Sequence, residues 1–401
     1  MLRKNFLKTM VLTAGIVVAF SMMGCKDDVY ADNSDQNPSY RLNYNLIENG
    51  TAYEVRGELR ADTVVAIPEK YMGLPVTKIA AYGFYGCHQL IGVTIPPSVT
   101  SIGIYAFWFC DKLSSITMPS SVISIGICAF WECKELSNIT IPSSVISIES
   151  GAFGCTNLAS ISIPPSVTSI GERAFSHCSG LSNITVQSGN TVYRSEENCL
   201  IQNNTLILGC KNSIIPVSVT SIGDDAFLGC TGLTNILIPP SVTSIGEQAF
   251  SFCSGLSSIT VQSGNTVFRS EENCLIQNNT LILGCKNSII PSSVTSIGEH
   301  AFYGCTDLTS ISIPLNVTNI GWSAFGGTSL TSISIPSSVT RISGFAFHSC
   351  PNLVNVTFNS SIGPNSFSDY PTFPGDLLDK YLAGGIGTYT RAPDSYTWTK
   401  Q

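Results

Sequence analysis

Leu308-Thr-Ser-Ile-Ser-Ile-Pro-Leu-Asn-Val-Thr-Asn-Ile-Gly-Trp-Ser-Ala-Phe325 decides the fold of this chain. Its recurring apolar residues stand at slots 1, 4, 6, 10, 13, 17 and 18 of the stretch. A helix repeats its apolar face every ~3.6 residues and a half-buried strand every second residue, and neither period runs through these slots. The stretch reads as a short strand, a turn at Pro314, a second short extended piece, and a compact turn ending in Ala324-Phe325. Proline has no N–H to give to a ladder, so pairing stops there.

Outward from this unit, Ala-Phe recurs at Phe107, Phe130, Phe153, Phe175, Phe227, Phe250, Phe302, Phe325 and Phe347, with Gly83-Phe84 as a first variant. Most steps are 23 residues, two are 22 and two are 52. A unit this small cannot bury its apolar side alone, so units must stack with strands ~4.8 Å apart around one shared core. The expectation is a leucine-rich-repeat solenoid, mainly β with short turns or 3-10 segments. It has about ten coils of 22–23 residues, two of them carrying β-hairpin insertions, and a cap at each end.

Both 52-residue steps hold the same insertion. Residues 186–216 recur as 261–291, nearly letter for letter, 75 positions later. Alternation within each copy predicts two hairpins, with turns at Glu197-Asn198 and Asn203-Asn204, lengthening one side of the solenoid. Tyr40 to Arg60 alternates as the strands of an N-terminal cap (40–75). In the C-terminal cap (371–401), Asp376–Ala383 reads as a short helix stopped by Gly384-Gly385, with strands at 387–391 and 396–398. An open solenoid end exposes unpaired edges, which caps cover.

The pattern Leu-x-x-Ile-x-Ile-Pro-x-x-Val-x-x-Ile-Gly-x-x-Ala-Phe-x-x-Cys, running from about Val76 to Cys350 within a repeat region of 76–370, resembles the BspA-like leucine-rich-repeat family of bacterial surface proteins. Gly73-Leu-Pro-Val-Thr-Lys-Ile79 is similar to the way that family's first repeat begins. The resemblance implies a non-catalytic cell-surface protein that adheres to host extracellular-matrix or bacterial surface proteins. A glycan-binding lipoprotein of a nutrient uptake system and a structural spacer are the alternatives, since one solenoid scaffold serves unrelated ligands.

The N-terminus sets the expected compartment. Arg3, Lys4 and Lys8 precede an apolar run of 14 residues from Met10 to Met23, too short to span a bilayer. Met22-Met23-Gly24-Cys25 resembles a lipobox, which makes 1–24 a lipoprotein signal peptide, Cys25 the lipid-attachment residue and 25–39 a tether. Lys26-Asp27-Asp28 resembles the signal that carries some Gram-negative lipoproteins to the outer face of the outer membrane; a solvated tether start explains it equally. Membrane attachment then depends on the lipid alone.

Loss of the leader's three cations takes the formal charge from −7 to −10, with only 12% charged residues in the chain. Nucleic-acid binding needs clustered Lys and Arg, so no nucleic-acid partner is expected. The protein is expected to act as a monomer.

Fifteen cysteines in an exported chain suggest a disulfide framework, but their positions suggest a core. Cys87, Cys110, Cys133, Cys155, Cys178, Cys230, Cys253, Cys305 and Cys350 share one slot, with Gly327 in the tenth copy. A once-per-coil cysteine packs as a small buried hydrophobe. Cys199 and Cys210, and their copies Cys274 and Cys285, are diagonal hairpin neighbours at ~7–8 Å, beyond a disulfide's reach. Cys128 stands apart and is expected to be partly exposed. His88, His177, His300 and His348 fall at four offsets and read as solvated turn residues. No metal spacing, nucleophile elbow or phosphate-cradling glycine cluster is present, so neither a catalytic site, a metal nor a cofactor is expected.

One row of side chains must point away from the core. It comprises Thr94, Thr117, Thr140, Ser162, Thr185, Leu237, Thr260, Ser312, Ser334 and Thr357. This uncharged hydroxyl row is the candidate binding face. Threonine also stabilises strands, and short side chains let coils stack, so the row has a structural explanation as well.

Overall fold

Three contacts per coil explain why these residues wind as they do. In the first column, isoleucines of Leu-x-x-Ile-x-Ile turn inward and the residues between them turn out. Ser160–Ile163 lies parallel on Asn183–Val186 with Ile161 opposite Ile184, and Ser332–Ile335 lies in the same way on Asn355–Phe358. The second column is built from short Ser-Ile pairs: Ser101–Ile102 on Ser124–Ile125, then Ser147–Ile148. The third column is the Ala-Phe turn. Phe107 N–H donates to the Ala129 carbonyl and Phe130 N–H to that of Ala152, each at 2.8 Å. Successive phenylalanine rings stack nearly parallel, 5.2–5.3 Å apart from Phe84 to Phe175.

The computed structural model describes residues 40–59, 63–393 and 395–401. They form a β-solenoid of about 13 turns with little helix. The ten Ala-Phe turns fall short of that number because each insertion contributes a coil without an Ala-Phe turn and the N-terminal cap adds a further rung at Ala52–Leu59. Its strands do more than lengthen one side. Tyr193–Glu196 and Cys199–Gln202 pair antiparallel, and Cys199–Gln202 pairs antiparallel with Thr205–Leu208. Thr205–Leu208 then lies parallel on Ser221–Ile222 as a rung of the second column. The second copy repeats this from Phe268 to Leu283. The turn residues Glu197, Asn198 and Asn203 all have positive φ, as expected of tight hairpins.

A bulge corrects the expected hairpin register. Ile201 faces Leu206 but Leu200 faces Leu208, so Ile207 is an extra residue and the diagonal expected between Cys199 and Cys210 shifts with it. All 14 cysteines of the described residues are free. The shared thiol slot needs a second correction. In the two 22-residue coils one residue is missing between Phe and Leu, so Thr156 and Thr328, not Cys155 and Gly327, fill the buried slot. Their hydroxyls donate to the carbonyls of Phe153 and Phe325, both at 2.8 Å. In five other coils the thiol makes the equivalent bond one coil back, as from Cys110 to Phe84 at 3.0 Å and from Cys133 to Phe107 at 3.2 Å. Cys128 is buried with its thiol over Gly151, not partly exposed, and burial pushes its thiol up to about 11.

The ends are covered. Tyr40–Ile47 and Ala52–Leu59 form a hairpin whose second strand lies parallel on Leu74–Ile79. At the other end, Gly387–Thr390 runs antiparallel on Asn355–Phe358 and Thr399–Lys400 adds the last rung. That final strand begins one residue beyond the expected segment, because Trp398 is buried, its Nε1 donating to the Pro374 carbonyl at 2.9 Å. The helix spans Leu377–Gly384.

Candidate interaction face

The outward row of the first column is the exposed surface that recurs with the coils. Thr94, Thr117, Thr140, Ser162, Thr185, Leu237, Thr260, Ser312 and Ser334 are all exposed. Thr357 is half-buried instead, since Gly387–Thr390 covers its strand and brings the Thr388 hydroxyl to 2.9 Å. Few of these hydroxyls are committed to the backbone. Thr185 and Thr260 donate to the preceding coil's Ile161 and Ile236 carbonyls. Ser162 and Ser334 accept from the side-chain amides of Gln187 and Asn359.

A second exposed row, Thr100, Thr243, Thr318 and Thr340, contrasts with it. Each of these hydroxyls donates to a carbonyl one coil back, at 3.2–3.3 Å. They hold coils together, which leaves the first row as the freer hydroxyl surface.

Two residues of the face escaped the sequence reading. Ile214 and Ile289 occupy the outward slot of the inserted coils, 59% and 66% exposed, and beside Leu237 (45%) they break the hydroxyl row with apolar side chains. The signal was present: Pro216 and Pro291 stand in the proline slot, with Val219-x-x-Ile222 and Val294-x-x-Ile297 following in repeat register. These coils are short. A regular coil has nine positions from its cysteine to its proline, as from Cys305 to Pro314, whereas Cys285 to Pro291 and Cys210 to Pro216 have six. The strand is therefore cut by three residues, and an open groove of about 820 Å³ lies beside the second short coil, between Ile289 and the serines 310, 312, 332 and 334.

The histidines do not converge, and two of them are not solvated. His177 packs over Gly229, where a Cβ would meet its ring at 2.2 Å, and its edge meets the Phe252 ring. Burial lowers its pKa, and burial lowers that of His300 to about 4. His300 Nδ1 is buried without a hydrogen-bond partner. His88 and His348 are exposed, as expected, bonding Asp111 and Ser349 at 2.8 Å. Across the first insertion, the partly buried Arg173 grips Asp225 with two bonds of 2.6 and 3.1 Å, a pair that sequence spacing did not reveal. Among the described residues no group of three or more His, Cys, Asp or Glu is placed to hold a metal ion, and no helix is long and apolar enough to cross a membrane.

The BspA-type leucine-rich-repeat pattern matches residues 77–207, 207–282 and 279–372 in six copies. The chain belongs to that family, whose solenoids are typically non-catalytic. It is similar to a leucine-rich cell-surface protein of Faecalibacterium prausnitzii at 27% identity, covering 83% of this chain and 96% of that one with a TM-score of 0.47. A leucine-rich-repeat protein of Bacteroides ovatus is 28% identical over 87% of this chain and 97% of its own, with a TM-score of 0.44. The Treponema pallidum leucine-rich-repeat protein is 28% identical over 54% of this chain and 88% of its own, with a TM-score of 0.40. No curated protein matches.

Proposed function

We propose that this protein is a non-catalytic lipoprotein that displays its first-column face at the cell surface to bind host matrix proteins or bacterial surface proteins. The observation that carries the reading is the face itself: eight outward hydroxyl residues in one row, most with hydroxyls free of the backbone, interrupted by three exposed apolar side chains. Protein interfaces combine apolar anchors with a polar, largely uncharged surround, and this row supplies both. Family membership supports a protein-interaction role. The anchor belongs to Cys25, which lies outside the described residues, as do Lys26-Asp27-Asp28. Residues 26–401, tested against immobilised matrix proteins and a glycan array, are expected to bind protein and not glycan.

One observation favours glycan as a second reading. Tyr82, Tyr85, Tyr105 and Trp108 cluster on the first turns with ring centroids 4.8–5.4 Å apart, Tyr82 and Tyr85 are exposed, and Trp108 Nε1 has no hydrogen-bond partner. Sugars stack on aromatic faces, so glycan binding that is lost in Trp108→Ala would move the function to this cluster.

A further inference from the structure

The three residues missing from each inserted coil leave a gap in the first-column ladder. On one side of the second gap, Ser258–Val261 pairs only with Asn235–Ile238. On the other side lies Ser310–Ile313. No backbone hydrogen bond among the described residues reaches the N–H or C=O of any of these four residues. Asn138–Ile141 is similarly bare, but its coil has the full nine positions and so leaves no gap.

Ladder geometry says which groups look into the gap. In a parallel ladder the N–H and C=O of one residue point to the same side, and neighbouring residues alternate. Ile238 accepts from Gln262 N–H in the following coil, so Ile236 and Ile238 face that way. Asn235 and Leu237 therefore face the first insertion, and the repeat register gives their equivalents 75 residues later, Ser310 and Ser312, the same direction toward the second. The surroundings are neutral: Ile289 and Ser310, Ser312, Ser332 and Ser334 line the groove, and its cation, Lys286, is already paired with Asp307 at 3.1 Å.

We propose that each short coil is a docking notch for a short, extended, uncharged segment of a partner polypeptide, held by main-chain hydrogen bonds to Asn235 and Leu237 at the first notch and to Ser310 and Ser312 at the second. An unpaired strand edge is a template for another extended chain, and main-chain pairing gives such a segment its affinity. A charged segment would lose solvation in this lining without gaining a partner. The exposed Ile214 and Ile289 lie where alternate side chains of the incoming segment would cover them. The two notches differ at two wall positions, Asn235 against Ser310 and Leu237 against Ser312, and the second difference makes the first notch prefer an apolar side chain there and the second a polar one. This rests on the reading of the first-column face as a protein-binding surface.

The probe is a fluorescein-labelled hexapeptide, Leu-Thr-Ser-Ile-Ser-Ile, titrated with residues 26–401 and followed by fluorescence polarisation. A second probe carries N-methyl groups at alternate residues, which removes donors and leaves the side chains. The labelled hexapeptide is expected to bind, and its N-methylated form to bind about tenfold more weakly, as loss of two hydrogen bonds implies. Leu237→Pro/Ser312→Pro removes one of the two gap-facing N–H groups at each notch, at edge positions where proline is tolerated, and is expected to weaken binding about fivefold. Leu237→Ala/Ser312→Ala keeps those N–H groups and is expected to bind more tightly than the proline variant. Inserting Thr-Ser-Ile after Asn287, and after Asn212, restores nine-position coils and is expected to abolish binding; it serves as the test if the proline variant does not fold. No hexapeptide binding, equal binding of the N-methylated probe, or binding that survives notch filling overturns the proposal. If notch filling leaves capture of a matrix protein intact while charges on the outward row abolish it, the notch fails and the face reading stands.

Discussion

At the scale of single residues, the most informative group is the thiol that recurs with the coils. It sits in the core and donates to a carbonyl one coil back, and a buried group of that kind is kept for packing and pairing, not for reactivity. Burial raises the pKa of Cys178 to about 11 and of Cys230 and Cys305 to about 12, so the nucleophilic thiolate is scarce at neutral pH. Thiol counting without reductant is expected to find most mature thiols unreactive in the folded protein and free after denaturation. A count near zero after denaturation means a disulfide framework and removes this account of the slot.

His300 gives a pH prediction at the same scale. Its folded pKa is depressed to about 4, below the ordinary histidine value of 6.5, so the unfolded chain binds its proton first. Its contribution to stability is full above pH 6.5, falls as pH drops from there, and is fully lost near pH 4. Urea unfolding at several pH values is expected to show this slope in the parent and a shallower one in His300→Phe. Equal slopes mean that His300 is solvated. That burial was not legible in the sequence, because it comes from packing between turns that an insertion separates by 52 residues. The slot of Thr156 and Thr328 was hidden for a different reason: in the 22-residue coils spacing to the next leucine favours Cys155, and only the backbone path shows which side chain turns inward.

At the scale of the element, the repeating coil was readable because its apolar slots, proline and Ala-Phe turn are all local signals. The insertion was readable as hairpins, but its bulge at Ile207 and its final, three-residue-short strand were not. Bulges leave no fixed residue signature, and a truncated coil looks like loop until the following Val-x-x-Ile register is traced. Phe130 tests the coil most simply. Its ring is fully buried between Phe107 and Phe153, at 5.2 and 5.3 Å. Replacing a buried phenylalanine with alanine costs ~3–5 kcal/mol. Because a coil touches only its neighbours, the loss in Phe130→Ala should stay local. Hydrogen exchange is expected to speed up around residues 107–153 while the C-terminal repeats remain protected. Unchanged protection there means that the ring belongs to a binding surface and not to the core.

At the scale of the whole molecule, the Cys25 anchor is a matter for the cell. Cys25→Ser is expected to release the protein from membranes in its own host, and retention with unchanged lipid labelling ends the lipoprotein reading. The central claim is that the first-column face, and not the second-column row, binds a protein partner. A paired substitution measures it: Thr140→Glu/Ser162→Glu/Thr185→Glu on the face, against Thr243→Glu/Thr318→Glu/Thr340→Glu on the other row. Circular dichroism first checks that both variants keep the parent fold. Surface plasmon resonance against the matrix protein captured by the parent is then expected to show at least about tenfold weaker binding for the face variant, since unpaired charges at an interface are costly, and near-parent binding for the other. Binding lost in the second variant and kept in the first, or no protein captured by the parent at all, contradicts the account.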